Sequence, residues 1–294
     1  MTNPFPVHIP VLLDEVVHWL DPRPGAVIVD GTLGGGGHTR GLGARVGPAG
    51  RIVALDRDPA AIAAAERNLA GMPVTLAHAN FCDLPEVLSQ LEIPAVDGVL
   101  LDLGVSSDQL ADPQRGFSFS AEGPLDLRFD PTNGEPAYRL VNRLSAKHLA
   151  DLIYYYGEER YSRRIAEAVV QRRRRALIET ASELAELVRQ CVPSQRGGHA
   201  IDPATRTFQA LRIAVNEELK SLEIALRRTP DCLRPGGRFA VISFHSLEDR
   251  RVKEAFRDDN RYEVLTRRPV RPSQQEVAQN QRSRSAKLRV AARR

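Results

Sequence analysis

The residues best placed to do chemistry are three aspartates and a run of glycines. Asp30 is followed by Gly31-Thr32-Leu33-Gly34-Gly35-Gly36-Gly37-His38-Thr39, Asp56 closes the next apolar run, and Asp102 closes a later one. A glycine-rich turn lets backbone come close to a ligand and offers it unpaired N–H groups. The loop is not GxxxxGK[ST], since no lysine follows, which argues against a P-loop nucleotidase. It is not GxGxxG either, because the sixth position is Thr39 counting from Gly34 and Arg40 counting from Gly35. An acid placed like Asp56 can accept both hydroxyls of an adenosine ribose. The set fits a ligand with ribose hydroxyls, an amino-acid tail and no phosphate, and S-adenosylmethionine is such a ligand. Asp102 stands where open α/β sheets bind ligands, or else caps the turn after its strand. Phe81 follows a strand and either lies on an adenine or belongs to the core. His38 and His245 are lone histidines without HExxH-like spacing, so a hydrogen-bonding role is the default and no metal is expected.

These residues need a scaffold of alternating strands and helices. Strands are expected over 26–29, 51–55, 74–77 and 96–101, with a helix opened by Asp58-Pro59. That order implies a parallel sheet wound by helices. From about 110 to 204 the pattern changes to polar turns and helical stretches, among them 145–175 and 180–191. A long amphipathic helix is expected over Thr207–Arg228, from Phe208, Leu211, Val215, Leu219, Leu222 and Leu226. Strands return at 239–244, 262–265 and 287–291. The economical division is a doubly wound α/β domain over 1–110 and 205–294, interrupted by a mostly helical insertion over 111–204.

The chain has 294 residues, 42% of them hydrophobic and 27% charged, a globular composition. No apolar run is long enough to span a bilayer, and the N-terminus lacks a secretory pattern. Cys82, Cys191 and Cys232 form no CxxC and no even-numbered framework, so a cytoplasmic chain without disulfides is expected. Residues 261–294 carry ten Lys/Arg and two Glu, or +8, on a chain of net +4, so residues 1–260 carry −4. A basic tail suggests a polyanionic partner, or else a solvated and poorly ordered end.

Longer segments then line up with one family. HIPVLLDEV (8–16), DGTLGGGGHT (30–39), LDRDPAAI (55–62), LLDLGVSSDQL (100–110), RGFSF (115–119), YGEERYSRRIA (156–166), PATRTFQALRIAVNEEL (203–219), LRPGGRFAVISFHSLEDRRVK (233–253) and RSRSAKLR (282–289) resemble the ribosomal small-subunit RNA methyltransferase H family, also called MraW. The resemblance implies a Rossmann-like class I S-adenosylmethionine-dependent methyltransferase with an inserted helical domain. It implies methylation of N4 of a decoding-site cytidine in 16S rRNA, free or in the small subunit. Carried over by position, Gly36, Gly37 and His38 line the methionine portion of the cofactor. Asp56 binds its ribose, Phe81 lies near its adenine, and Asp102 and Gln109 make further contacts. The insertion, with its Arg172–Arg175 run, is expected to help hold RNA. Two departures, Leu127-Arg128-Phe129 within 124–130 and Gln281 near the tail, lie away from the cofactor residues.

Transfer to an amino nitrogen would be in-line attack on a sulfonium methyl. Many amino-methyltransferases carry [DN]PP[FY] after the fourth strand, whereas this chain has Asp102-Leu103-Gly104-Val105. Asp102 could still accept an N4–H, and His245 is a second candidate for the base. C5 chemistry would call for a cysteine at the end of strand four or five, and neither has one. The rival functions are methylation of a protein or small molecule, an RNA-binding module with a relic pocket, and a dehydrogenase, the last opposed by the glycine spacing. Homodimerisation is left open.

Overall fold

The structure is a computed structural model that describes residues 10–119, 122–193 and 202–294. The expectation of no secretory segment, read from residues 1–16, falls in part on residues 1–9, outside those described. The chain divides into two compact units, one running up to Ser106 and resuming at Leu219–Arg294, the other being Ser107–Glu218.

The first unit is a seven-stranded sheet with helices. In chain order it holds α1 (Leu13–Leu20), β1 (Val27–Asp30), α2 (Gly37–Val46), β2 (Arg51–Asp56), α3 (Pro59–Asn68), β3 (Val74–His78), α4 (Leu84–Gln90) and β4 (Val96–Asp102). The strand order is β3-β2-β1-β4-β5-β7-β6, counting β5 (Leu233–Ser243), β6 (Tyr262–Val264) and β7 (Lys287–Arg293). Strands one to five are parallel, and β7 runs antiparallel to both β5 and β6. The order reverses between β1 and β4, so a ligand crevice is expected beyond their carboxyl ends.

Alternation along the strands builds two cores. Val29, Leu101 and Val241 point into one, with Leu84, Leu222 and Phe256 from the helices, and Ile28, Leu100 and Ile242 point into the other, with Val16 and Leu42. A sheet apolar on both faces needs helices on both sides. α3 starts as its sequence suggests: the Asp58 carboxylate accepts the Ala60 N–H, and Pro59 fills the first turn. β5 contains Arg234–Gly237 as a bulge, since Val96 pairs with Leu233 but Gly98 with Arg238. Gly236, at φ +78°, supplies the left-handed residue there.

The second unit is helical: α5 (Ser107–Ala111), α6 (Ala137–Arg143), α7 (Ala146–Gly157), α8 (Ser162–Arg173), α9 (Ala181–Cys191) and α10 (Thr205–Asn216). Its described residues contain no strand, only an isolated bridge between Pro124 and Thr180. α9 begins with a capping box of Thr180 and Glu183.

The long helix expected over 207–228 is two helices. α10 ends at Glu217, which adopts φ +49°, and α11 (Glu218–Cys232) begins at the next residue. Asn216 accounts for the break. Its buried amide donates to the Leu127 carbonyl at 2.7 Å and accepts the Phe129 N–H at 2.7 Å, fastening α10 to its own unit. The two compact units divide in sequence at 106/107 and at 218/219.

The basic tail is woven into the sheet rather than loose. α12 (Ser246–Asp258) supplies Asp249, which pairs with Lys287 at 2.9 Å and Arg289 at 2.7 Å. Arg261 is clasped by Asp231 and Asp259. Much of the tail charge is thus spent on the fold itself.

Candidate active site

The site is built on the carboxyl ends of β1, β2 and β4. At the end of β1, buried Asp30 accepts the Thr32 N–H at 3.1 Å and the Thr39 hydroxyl at 2.7 Å, tying the glycine loop to α2. Thr32 in turn accepts the Asp102 N–H at 2.6 Å, so the loop is fixed to the end of β4. Gly34 (φ +47°) and Gly36 (φ +76°) take left-handed conformations that few other residues adopt. Beyond β4, Gly104 turns the chain at φ +111° against Phe244.

Asp56 reaches the same loop. One carboxylate oxygen accepts the Gly34 N–H at 2.8 Å and the other accepts the Asp58 N–H at 2.9 Å. A carboxylate has about four acceptor positions, so lone pairs remain for two hydroxyls. Burial pushes this carboxyl up to about 6, against the pull of the two backbone N–H groups. Phe81 opens a short 3₁₀ turn (Phe81–Asp83) capped by Asn80. It is partly buried beside Gly31, where a Cβ would lie 3.1 Å from Phe81 Cβ.

Asp102 and His38 form the polar centre. His38 is buried, and its Nε2 lies 2.9 Å from the Val11 carbonyl, which assigns the proton to that nitrogen. Nδ1 then faces Asp102 Oδ2 at 3.5 Å. The other oxygen, Oδ1, is buried with no hydrogen-bond partner, an uncommon state for a carboxylate. Burial pushes the Asp102 carboxyl up to about 6, His38 pulls it back, and Asp30 and Glu248 push it further.

An acid with a raised folded value stabilises the protein fully below its unfolded value and loses that contribution as pH rises through the folded value. Asp102→Asn copies the protonated form. The variant is therefore expected to melt higher than the parent at pH 8 without cofactor, with the gap closing as pH falls below about 6. Melting curves between pH 4.5 and pH 8 check this, and a gap independent of pH would refute it.

Sequence reasoning thus placed Gly36, Gly37, His38, Asp56, Phe81 and Asp102 in one unit, around one sheet edge. Gln109 is buried on α5, in the second unit. His245 caps α12: its Nδ1 accepts the Glu248 N–H at 3.4 Å, while Glu248 accepts the His245 N–H at 3.3 Å. Its Nε2 lies 3.0 Å from Glu248 Oε1, close but off hydrogen-bond geometry. The Arg172–Arg175 run is partly structural, with Arg172 on Glu183 at 3.3 Å and Arg173 on the Val141 carbonyl at 2.7 Å.

Two pairs of contributors were missed. Pro10 and Val11 wall the loop, for a Cβ on Gly37 would come within 3.1 Å of the Pro10 ring. Thr32 and Thr39 lock it. Polar residues inside a glycine run were the available sign, but their partners are remote in sequence.

The residues fit a cationic nucleoside cofactor: an unpartnered buried carboxylate oxygen, a loop of left-handed glycines and a second strand-end acid. Among the described residues no cluster of acids, histidines and cysteines could hold a metal, and no helix is long and apolar enough to cross a membrane. The class is that of methylases.

The chain belongs to the MraW methylase family, whose model matches residues 6–294. It is 50% identical to a protein of Rhodopirellula baltica, over 97% of this chain and 91% of that one. It is 52% identical to one from Synechococcus sp. (strain JA-3-3Ab), over 97% and 94%. A third, from Cyanothece sp. (strain PCC 7425), is 51% identical over 98% and 95%. All three are named ribosomal RNA small subunit methyltransferase H.

Proposed function

We propose that this protein methylates small-subunit ribosomal RNA on N4 of a decoding-site cytidine. The name shared by relatives that are about half identical along nearly the whole chain supports the RNA. The observation that carries the amino-group reading is Asp102 Oδ1, a buried acceptor at the sheet edge with nothing donating to it.

When bound, S-adenosylmethionine supplies an electrophilic sulfonium methyl. Gly36, Gly37 and His38 would line its methionine portion, Asp56 would hold the ribose hydroxyls, and Phe81 would lie near the adenine. The family resemblance adds Gln109 to the cofactor residues. Asp102 would offer the sulfonium cation a buried carboxylate and is the acceptor available to an N4–H, which would help localise the nitrogen lone pair. The Thr32 hydroxyl holds the Asp102 backbone in that position. His245 serves as the cap of α12 and sets the end of β5. Most of the acceleration then comes from alignment, where orientation is worth up to roughly 7–11 kcal/mol.

A route to C5 would need a cysteine thiolate. Burial and Asp83 push up the thiol of Cys82, the cysteine that follows β3, which disfavours that form.

Arg267, Arg268, Arg271 and Arg284 are exposed and have no carboxylate partner among the described residues. The pairing of Lys287 with Ser243 brings this stretch to the carboxyl edge of the sheet. With phosphate contacts there, RNA affinity is expected to fall with salt by roughly 0.7–0.9 log units per contact per log unit of salt. A flat salt response in a filter-binding titration would reject those contacts.

The deciding experiment is transfer of labelled methyl to small subunits lacking the modification, followed by mass mapping of the RNA. Label on N4 of a decoding-site cytidine is the expected result. Label on another atom, or none while the cofactor still binds, would overturn the assignment.

A further inference from the structure

We propose that the end of the α7–α8 pair is a stacking platform for unpaired RNA bases, with Tyr154 and Tyr155 as its rings and Arg160, Arg163 and Arg164 as its phosphate contacts. This rests on the reading that ribosomal RNA is the substrate, and it names a place in the second unit where that RNA is held.

The helix pattern explains why the rings are outside. α7 buries Leu149, Ala150, Ile153 and Gly157, so Tyr154 and Tyr155 fall off that stripe. They are 55% and 66% exposed, adjacent members of a very short set of exposed large apolar side chains among the described residues. The rings sit edge to face, their centroids 5.4 Å apart at 78°. Two fixed aromatic surfaces in water suit ligands with flat faces, and every base has one.

The charge beside them decides which ligand. Glu158, at φ +51°, turns the chain from α7 into α8, so the last turn of one helix and the first turn of the other share an end. Arg160, Arg163 and Arg164 are exposed there and have no carboxylate partner among the described residues. Arg160 instead lies 4.8 Å over the Tyr161 ring. Elsewhere the protein pairs its arginines freely, with Asp126, Glu135, Asp202 and Glu218 in this unit alone. Buried Glu159 turns inward, accepting the Tyr161 N–H at 2.8 Å. Glu158 is therefore the exposed acid of the turn, against three exposed guanidinium groups. Aromatic rings interleaved with unpaired arginines suit a single strand, stacking its bases and meeting its phosphates. A second copy of this chain would bring like charges together.

The test uses the full chain and a short single-stranded oligouridylate as probe. Tyr154→Ala combined with Tyr155→Ala should weaken binding about ten-fold or more, with melting temperature and S-adenosylmethionine affinity unchanged. The corresponding phenylalanine substitutions should retain affinity. Arg163→Gln should lower the salt slope by about one, which the tyrosine changes should not do. Trp19 is the single tryptophan, so Tyr155→Trp in a Trp19→Phe background reports stacking directly, as fluorescence quenching by the oligonucleotide. Unaltered affinity in the double alanine variant, or no binding by the parent protein, would overturn the proposal. So would a parent dimer that the double alanine variant dissociates, since the rings would then join two copies. Tyrosine-dependent binding by a protein that methylates no subunits would support the platform and count against the substrate reading alone.

Discussion

Asp102→Ala is expected to weaken S-adenosylmethionine binding by at least about 30-fold, from the roughly 2–5 kcal/mol that follows removal of one partner of a desolvated charge pair. Turnover should fall further, because the same carboxylate is placed to accept an amino hydrogen. The Asn variant separates charge from shape. It keeps the volume and the backbone bond to Thr32 but presents no negative charge to a sulfonium. Its affinity for S-adenosylmethionine should drop more than its affinity for S-adenosylhomocysteine, which lacks that charge. In the parent protein, affinity should weaken as pH falls below about 6, where Asp102 and Asp56 both take up protons, and the Asn variant should keep only the part of that dependence that belongs to Asp56. Calorimetric titration of both ligands at pH 5 and pH 8 measures all of this. Undiminished binding and turnover in Asp102→Ala would remove the residue from the site. Asp102→Asn is also the variant expected to melt higher, so its gain in stability would come with a loss of function, as expected where a site stores an unfavourable charge.

The second large effect is expected at Gly31. A Cβ there would lie 2.5 Å from Leu101 Cδ2 and 3.1 Å from Phe81 Cβ. Leu101 is fully buried in a core without room to move. Gly31→Ala should therefore cost about 1–3 kcal/mol, typical of overpacking, and lower the melting temperature by several degrees. It should also weaken cofactor binding, because Leu101 precedes Asp102 and Phe81 stands on the other side. Gly71→Ala is the control: nothing lies within 4 Å of the added carbon, so only the strain of its φ of +82° applies. Equal thermal stability of Gly31→Ala and the parent would show that the contact relaxes freely.

How far the sequence could be read depended on whether the cause was local. Asp30, Asp56 and Asp102 each end an apolar strand, and that punctuation is visible in one dimension. The capping of α3 by Asp58 was visible for the same reason. The break at Glu217 was hidden, because Leu211, Leu219 and Leu222 keep helical spacing straight through it. What ends α10 is the grip of Asn216 on residues 127 and 129, nearly ninety positions away. The glycine loop announced itself, but not the Val11 carbonyl that fixes the His38 ring or the Thr32 hydroxyl that fixes Asp102. The tail was legible as charge but not as structure. Its arginines alternate with apolar residues in β7, and only pairing with β5 reveals that Arg289 was recruited by Asp249.

The interruption of the sheet by residues 107–218 also has a kinetic side. β4 and β5 are hydrogen-bonded neighbours, yet everything between Asp102 and Leu233 must be made before they can meet. Closing so long a loop costs chain entropy that grows only as the logarithm of its length. A segment that has already collapsed into its own helical unit brings less freedom to that closure than an open chain does. Pairs such as α7 and α8, close in sequence, form faster than strands so far apart. The helical unit is then a folding aid as well as a surface. Loosening the close approach of Gly157 to the Arg206 carbonyl, within the helical unit, should slow completion of the sheet itself, read as a lower refolding rate.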